Sequence, residues 1–160
     1  MIGSTLPLAL VKSASVAYIH YLSFMLCFGA LVYERISLKP NPNRQESICM
    51  ILADVIYGIA GIALLVSGIY RVIKFGQGSE FYTQNPIFWI KITVFALVGS
   101  LSLYPTITYV LWSIPLSKGN LPLVTNNLVS RIRIILNIEL FGFASIPFLA
   151  TLMARGVGLS

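Results

Sequence analysis

The sequence predicts an all-α fold: an integral membrane four-helix bundle in which residues 1–160 form a single transmembrane domain. Three observations point there. Hydrophobic residues make up 57% of the chain and charged residues only 10%, against about 25% charged in an average soluble domain. Mean hydropathy is +0.85. Four apolar runs, at about 13–33, 48–70, 86–112 and 132–154, each reach the roughly 20 helical residues needed to cross about 30 Å of hydrocarbon. The runs are continuously apolar, whereas barrel strands would alternate over about 10 residues. Backbone groups in lipid must be satisfied within their own segment, so the runs are helices.

The first run follows MIGSTLPLALV, which contains no Lys or Arg. The basic leader of a cleavable signal peptide is missing, and the first helix is expected to be retained. The run gives way to ERISLKPNPNRQES, where Pro40 and Pro42 oppose helix continuation. The second run closes near Gly76 and Gly78, and Asn85-Pro86 opens the third, proline being favoured in a first helical turn. A connection from Ser113 to about Ser130 leads to the fourth, and its second half, PLVTNNLVSR, reads as an extension of that helix.

Basic residues set the expected orientation. Arg35, Lys39, Arg44, Lys118, Arg131 and Arg133 lie on one side, and Lys12, Arg71, Lys74 and Arg155 on the other. This bias places both termini on the non-cytoplasmic side. Phe81, Tyr82, Phe88 and Trp89 are expected in the outer aromatic belt, and Trp112 in the inner one. The formal charge of +6 sits mostly at helix ends. It fits headgroup anchoring and does not indicate nucleic acid, so the expected partners are the lipid bilayer and other membrane protein subunits.

Five strongly polar residues fall within the spans: His20, Asp54, Lys91, Asn137 and Glu139. Ionisable groups in hydrocarbon are costly, which makes each a functional candidate. At about 1.5 Å per helical residue, Asp54 and Glu139 lie about 9 Å in from the inner side. Lys91 and His20 lie about 8 and 10 Å in from the outer side. An Asp54–Lys91 bridge would have to cover roughly 13 Å along the membrane normal and is not expected. Asp54 and Glu139 are read as structural, capped at the inner end by Arg35, Arg131 or Arg133, with an arginine or hydroxyl partner expected for one or the other there. A proton or cation relay is the competing reading, but the middle of the bundle offers few polar groups to continue one. On the second helix, Asp54, Gly58, Gly61, Leu65 and Gly68 form one stripe, and its glycines are expected to pack against another helix. On the first, Ser13, Ala17, His20, Phe24 and Cys27 form a comparable stripe.

His20 is the only histidine, so neither a three-histidine zinc site nor a bis-histidine haem can be built from one chain. Cys27 and Cys49 make no metal motif, and no metal is expected. No resident cofactor is expected either, a single haem or chlorophyll on His20 being the exception left open. Nucleophile elbows, phosphate loops and dinucleotide fingerprints are absent, and GIALLVSG is buried in a span.

The stretch ADVIYGIAGIALLVSGIYRVIKFGQGSEFYTQNPIFWIKITVFALVGSLSLYPT carries D-x-x-Y-G, S-G-x-x-R, F-Y-x-x-N-P-x-F-W-x-K and an L-S-x-Y-P-T turn. On these motifs the chain resembles a family of small bacterial membrane proteins, domain of unknown function 2214, frequent in cyanobacteria. The resemblance covers most of the chain from His20 onward and implies a photosynthetic host, in a thylakoid or bacterial inner membrane. More distantly the pattern is similar to the haem-binding, HemJ-type protoporphyrinogen oxidases. These have a histidine in the first helix and a lysine in the third, where His20 and Lys91 stand; their third-helix histidine has no counterpart here. That similarity implies a tetrapyrrole held by His20, with Lys91 placed to pair with a propionate. The primary expectation remains a non-enzymatic accessory or assembly subunit of a larger membrane complex. The alternative is a tetrapyrrole-binding redox membrane protein.

Overall fold

The computed structural model describes residues 8–75 and 79–158. It contains helices α1 (Leu8–Ser37), α2 (Arg44–Tyr70), α3 (Ser79–Thr83), α4 (Pro86–Ser117) and α5 (Asn126–Ala154), with α2 prolonged by a π-helical turn over Arg71–Phe75. Four of these are long and apolar enough to cross a membrane. The expected ends at Gly76 and Gly78 lie outside the described residues.

The helices run past the expected spans because the charged residues flanking the apolar runs are themselves good helix formers. Local capping chemistry then stops them. The Asn43 side chain accepts from the Glu46 N–H while the Glu46 carboxylate accepts from the Asn43 N–H, each at 2.9 Å. This reciprocal pair satisfies two otherwise orphaned donors at the start of α2. Asn85 Oδ1 accepts from Ile87 N at 2.9 Å, with Pro86 in the first turn, and Thr125 caps α5 through Leu128 N. The expected helical extension before residue 132 is present from Asn126. The L-S-x-Y-P-T segment is not a turn: Pro105 and Thr106 lie inside α4. Within a membrane bundle a helix tolerates proline where neighbours re-satisfy the freed backbone.

In cross-section α1 packs on α2 and α5, and α4 packs on α5 and α2, so that α1 faces α4 across one diagonal. Short connections make successive long helices antiparallel. The 38–43 and 118–125 connections therefore share one end, called here the loop end. Asn41 N donates to Val124 O across them, and Arg133 donates to Leu38 O. At the other end, Asn85 Nδ2 donates to Val157 O.

The buried stripe of α2 is Met50, Ala53, Asp54, Tyr57, Ala60, Leu64 and Ser67. The glycine stripe expected to face a helix is therefore displaced. A Cβ built on Gly58 or Gly61 meets nothing within 4 Å, and only Gly68 is close-packed, 3.1 Å from His20 Cε1. One residue turns a helix by about 100°, and the large side chains, Tyr57 and Leu64, took the interior in place of the glycines. The α1 stripe is as expected and continues through Leu31 to Glu34. Trp112 is no belt residue. It is 5% exposed and lies against Tyr109, ring centroids 5.0 Å apart. Phe81, Tyr82, Phe88 and Trp89 do form a continuous aromatic edge. Outward faces are apolar, with Phe141 80% and Leu123 92% exposed, which suits a lipid surround and not water.

Ala60 is buried where Gly61 is open. Ala60→Leu should therefore destabilise the detergent-solubilised protein by about 1–3 kcal/mol through overpacking, whereas Gly61→Leu should leave its thermal midpoint close to wild type.

Candidate polar sites in the bundle interior

Each long helix contributes to a polar cluster toward the loop end: Glu34 from α1, Asp54 from α2, Thr106 and Tyr109 from α4, and Glu139 from α5. Glu34 is 1% exposed, Asp54 6%, Tyr109 0% and Glu139 0%. Thr106 Oγ1 donates to Asp54 Oδ1 at 2.7 Å. Glu34 lies within electrostatic reach of Asp54 and Glu139, with the Tyr109 hydroxyl beside its carboxyl. Both Glu139 oxygens, by contrast, make no hydrogen bond among the described residues. Buried polar atoms are normally paired, so this carboxyl stands apart from the rest of the core.

The expectation of an arginine or hydroxyl partner is met at Asp54 by the Thr106 hydroxyl, whereas the arginine caps are not formed. Arg35 Nε donates to Asn137 Oδ1 at 2.6 Å, Arg133 reaches Leu38 O, and Arg131 is exposed without a partner among the described residues. Arg35 is one residue past Glu34, which turns it off the interior face. Arg131 and Arg133 sit eight and six residues before Glu139, about 12 and 9 Å nearer the loop end. The cluster thus collects three carboxyl groups with no cation among them. No group of three or more His, Cys, Asp or Glu among the described residues is arranged to hold a metal ion.

The second polar layer lies toward the termini. His20 Nδ1 is 3.1 Å from Leu64 O and 3.0 Å from Ser67 Oγ. Lys91 stands over the Phe88 ring at 5.4 Å and makes no ion pair among the described residues, and its ammonium is near enough to His20 for the charges to interact. Asp54 and Lys91 are not paired, as the depth argument expects.

Between the layers lies an aromatic plug. Phe143 of α5, 1% exposed, sits 5.5 Å from Phe24, 6.1 Å from Tyr57 and 6.5 Å from Phe95, ring centroid to ring centroid. One ring comes from each long helix. From His20 to Glu34 the axial distance is about 21 Å, and this hydrocarbon layer occupies its middle.

A tetrapyrrole on His20 is tested by the space around it. Anchoring of Nδ1 to a carbonyl suits a metal-ligating histidine. The ring, however, is packed against Gly68, and grooves of about 330 and 410 Å³ on the bundle are lined by neither His20 nor Lys91. Neither of these grooves therefore offers His20 space for such a group.

Sequence reasoning missed Glu34, Thr106 and Tyr109. Glu34 was legible: it is the next turn of the Ser13, Ala17, His20, Phe24, Cys27 stripe, seven residues past Cys27. Tyr109 follows Ser102 by seven residues and Pro105 by four on the buried face of α4.

A family model described as a predicted membrane protein, DUF2214, matches residues 12–158. No curated protein and no solved structure matches the chain.

Thr106→Val should destabilise the fold by about 1–3 kcal/mol by leaving the Asp54 carboxyl unsatisfied. Thr108→Val, whose hydroxyl bonds only its own helix at Tyr104 O, should change stability by less than about 0.5 kcal/mol. Chemical denaturation in a single detergent compares the two.

Proposed function

The chain belongs to the DUF2214 family of predicted membrane proteins, and we propose that it is a non-enzymatic, multi-pass membrane protein that binds and releases protons on its loop-end carboxyl cluster. One observation carries the reading: Glu139, fully buried, has two unpartnered oxygens beside Glu34 and Asp54. A carboxylate in low dielectric with neither a cation nor a donor is costly, and the neutral acid is far cheaper to hold. Three buried carboxyl groups side by side cannot all ionise without strong mutual repulsion, so they exchange protons as a set. Glu34, Asp54, Tyr57 and Tyr109 are the titratable groups facing Glu139, and no basic side chain enters. The aromatic plug around Phe143 closes the cluster toward the termini, so protons exchange from the loop end. This is a one-sided proton store or sensor and not a through-going relay.

A second observation favours association with another membrane protein, the accessory role. A groove of about 330 Å³ between α1 and α2 is lined by Met25, Gly29, Ala30, Tyr33 and Cys49 among others. Its small residues, Gly29 and Ala30, would let a foreign helix approach closely.

Trp112 lies against Tyr109 and reports on the cluster. In a Trp89→Phe background, where Trp112 is the sole tryptophan, emission should change reversibly between acidic and alkaline pH. A protonated-carboxyl infrared band should fall over the same range. Both changes should be lost in Glu34→Gln/Glu139→Gln. Infrared and fluorescence signals that ignore pH in the folded wild type would refute proton exchange at this cluster.

A further inference from the structure

The seam between α1 and α5 at the loop end holds two arginines fixed by crossed hydrogen bonds. Arg35 Nε, on α1, donates to Asn137 Oδ1 of α5 at 2.6 Å. Arg133 Nη2, on α5, donates to Leu38 O, just past the end of α1, at 3.4 Å. Asn137 stands four residues beyond Arg133, and Leu38 three residues beyond Arg35. The two bonds therefore cross one seam about a helical turn apart, or about 5–6 Å. Hydrogen bonds of known partners thus bring the two guanidinium groups side by side.

No acid of the chain joins them. All five Asp and Glu residues fall among the described residues. Glu46 is paired with Lys39 at 2.7 Å. Glu80 lies in α3, at the opposite end. Glu34, Asp54 and Glu139 are buried in the carboxyl cluster and make no ion pair. Arg35 and Arg133 each use one N–H donor within the chain, and a guanidinium carries five. Asn137 gives its oxygen to Arg35 and makes no bond through its amide N–H groups among the described residues. Like charges held this close in a partly desolvated place are unfavourable unless an anion joins them.

Depth and surroundings select the anion. Arg35 lies two residues past the first expected span and Arg133 one residue inside the fourth, which is the level of the headgroups. Arg133, Asn137 and Phe141 follow at four-residue spacing, so they share one face of α5. Arg133 and Asn137 are exposed, and Phe141 is 80% exposed. Within about 12 Å this face passes from hydrogen-bond donors to a bare ring. A phospholipid presents the same order, phosphate first and acyl chain after. Phosphate oxygens take N–H donors at about 2.7–2.9 Å, so one phosphate between the guanidinium groups reaches both, and arginine's planar fork suits it. We propose that Arg35 and Arg133, with the Asn137 amide, bind the phosphate of an anionic phospholipid on the α1–α5 seam, its acyl chain lying over Phe141. The site is separate from the carboxyl cluster, and its test does not depend on proton exchange there.

The test uses the whole chain, delipidated in an uncharged detergent. Thermal unfolding and native mass spectrometry are followed with phosphatidylglycerol, phosphatidylcholine or inorganic phosphate added. Phosphatidylglycerol should raise the melting temperature and remain bound, one molecule per chain. Phosphatidylcholine, whose choline cation the arginines repel, should do neither. Arg35→Gln and Arg133→Gln should each weaken the apparent affinity roughly tenfold, the loss expected for one charge-assisted hydrogen bond. Arg133→Lys, which keeps the charge and loses the fork, should fall between wild type and Arg133→Gln. Should Arg35→Gln misfold, the two Arg133 variants decide alone. Arg131→Gln, at the same end but about 200° round α5 from Arg133, should bind like wild type. Equal stabilisation by the two lipids overturns the proposal, as does a full shift from inorganic phosphate alone. So does an Arg131→Gln loss as large as that of Arg133→Gln, since the attraction would then be general charge and not a site.

Discussion

The cost of an ionisable group in hydrocarbon governs this structure. A carboxyl group in the bilayer core has no water to turn to, so it must face the bundle interior or its helix must leave the membrane. Glu34, Asp54 and Glu139 lie on three different helices and all turn inward. That requirement sets the rotation of α1, α2 and α5 about their axes. Once set, it decides which apolar residues meet at the centre: Phe24, Tyr57 and Phe143 take positions along the same stripes. On α2 it also decides that Tyr57 and Leu64 pack inside while Gly58 and Gly61 face outward.

Charge is consequently sorted by depth. The buried carboxyl groups Glu34, Asp54 and Glu139 lie toward the loop end, His20 and Lys91 toward the termini, and a layer of rings separates them. Neither set neutralises the other, because about 21 Å of helix lies between them. The arginines nearest the carboxyls are spent on Asn137 and Leu38, where they fasten α1 and the first connection to α5.

Where the sequence reading departed from the structure, the cause is rotational phase. A helical stripe drawn through every third or fourth residue can be shifted by one position and still look regular. On α2 the glycine stripe and the true buried stripe share Asp54 and then diverge. Stopping the first helix at its first charge hid Glu34, although the spacing of its own stripe led to it. Thr106 and Tyr109 could not be found the same way. Their role depends on which helix lies beside α2, and hydroxyl groups on an apolar helix carry no periodic signal of their own.

The sequence by itself determined that the fold is all-α, that four helices are long and apolar enough to cross a membrane, and that Asp54 and Lys91 lie at depths too different to pair. These follow from hydrophobic length and helical rise, which are properties of single segments. Only the tertiary structure decided that three carboxyl groups meet in one cluster, that the nearby arginines turn away from it, and that Phe143 packs against Phe24, Tyr57 and Phe95 beside it. Those outcomes depend on neighbour order and on the rotation of each helix. Packing of four helices together fixes such quantities, and no single helix encodes them.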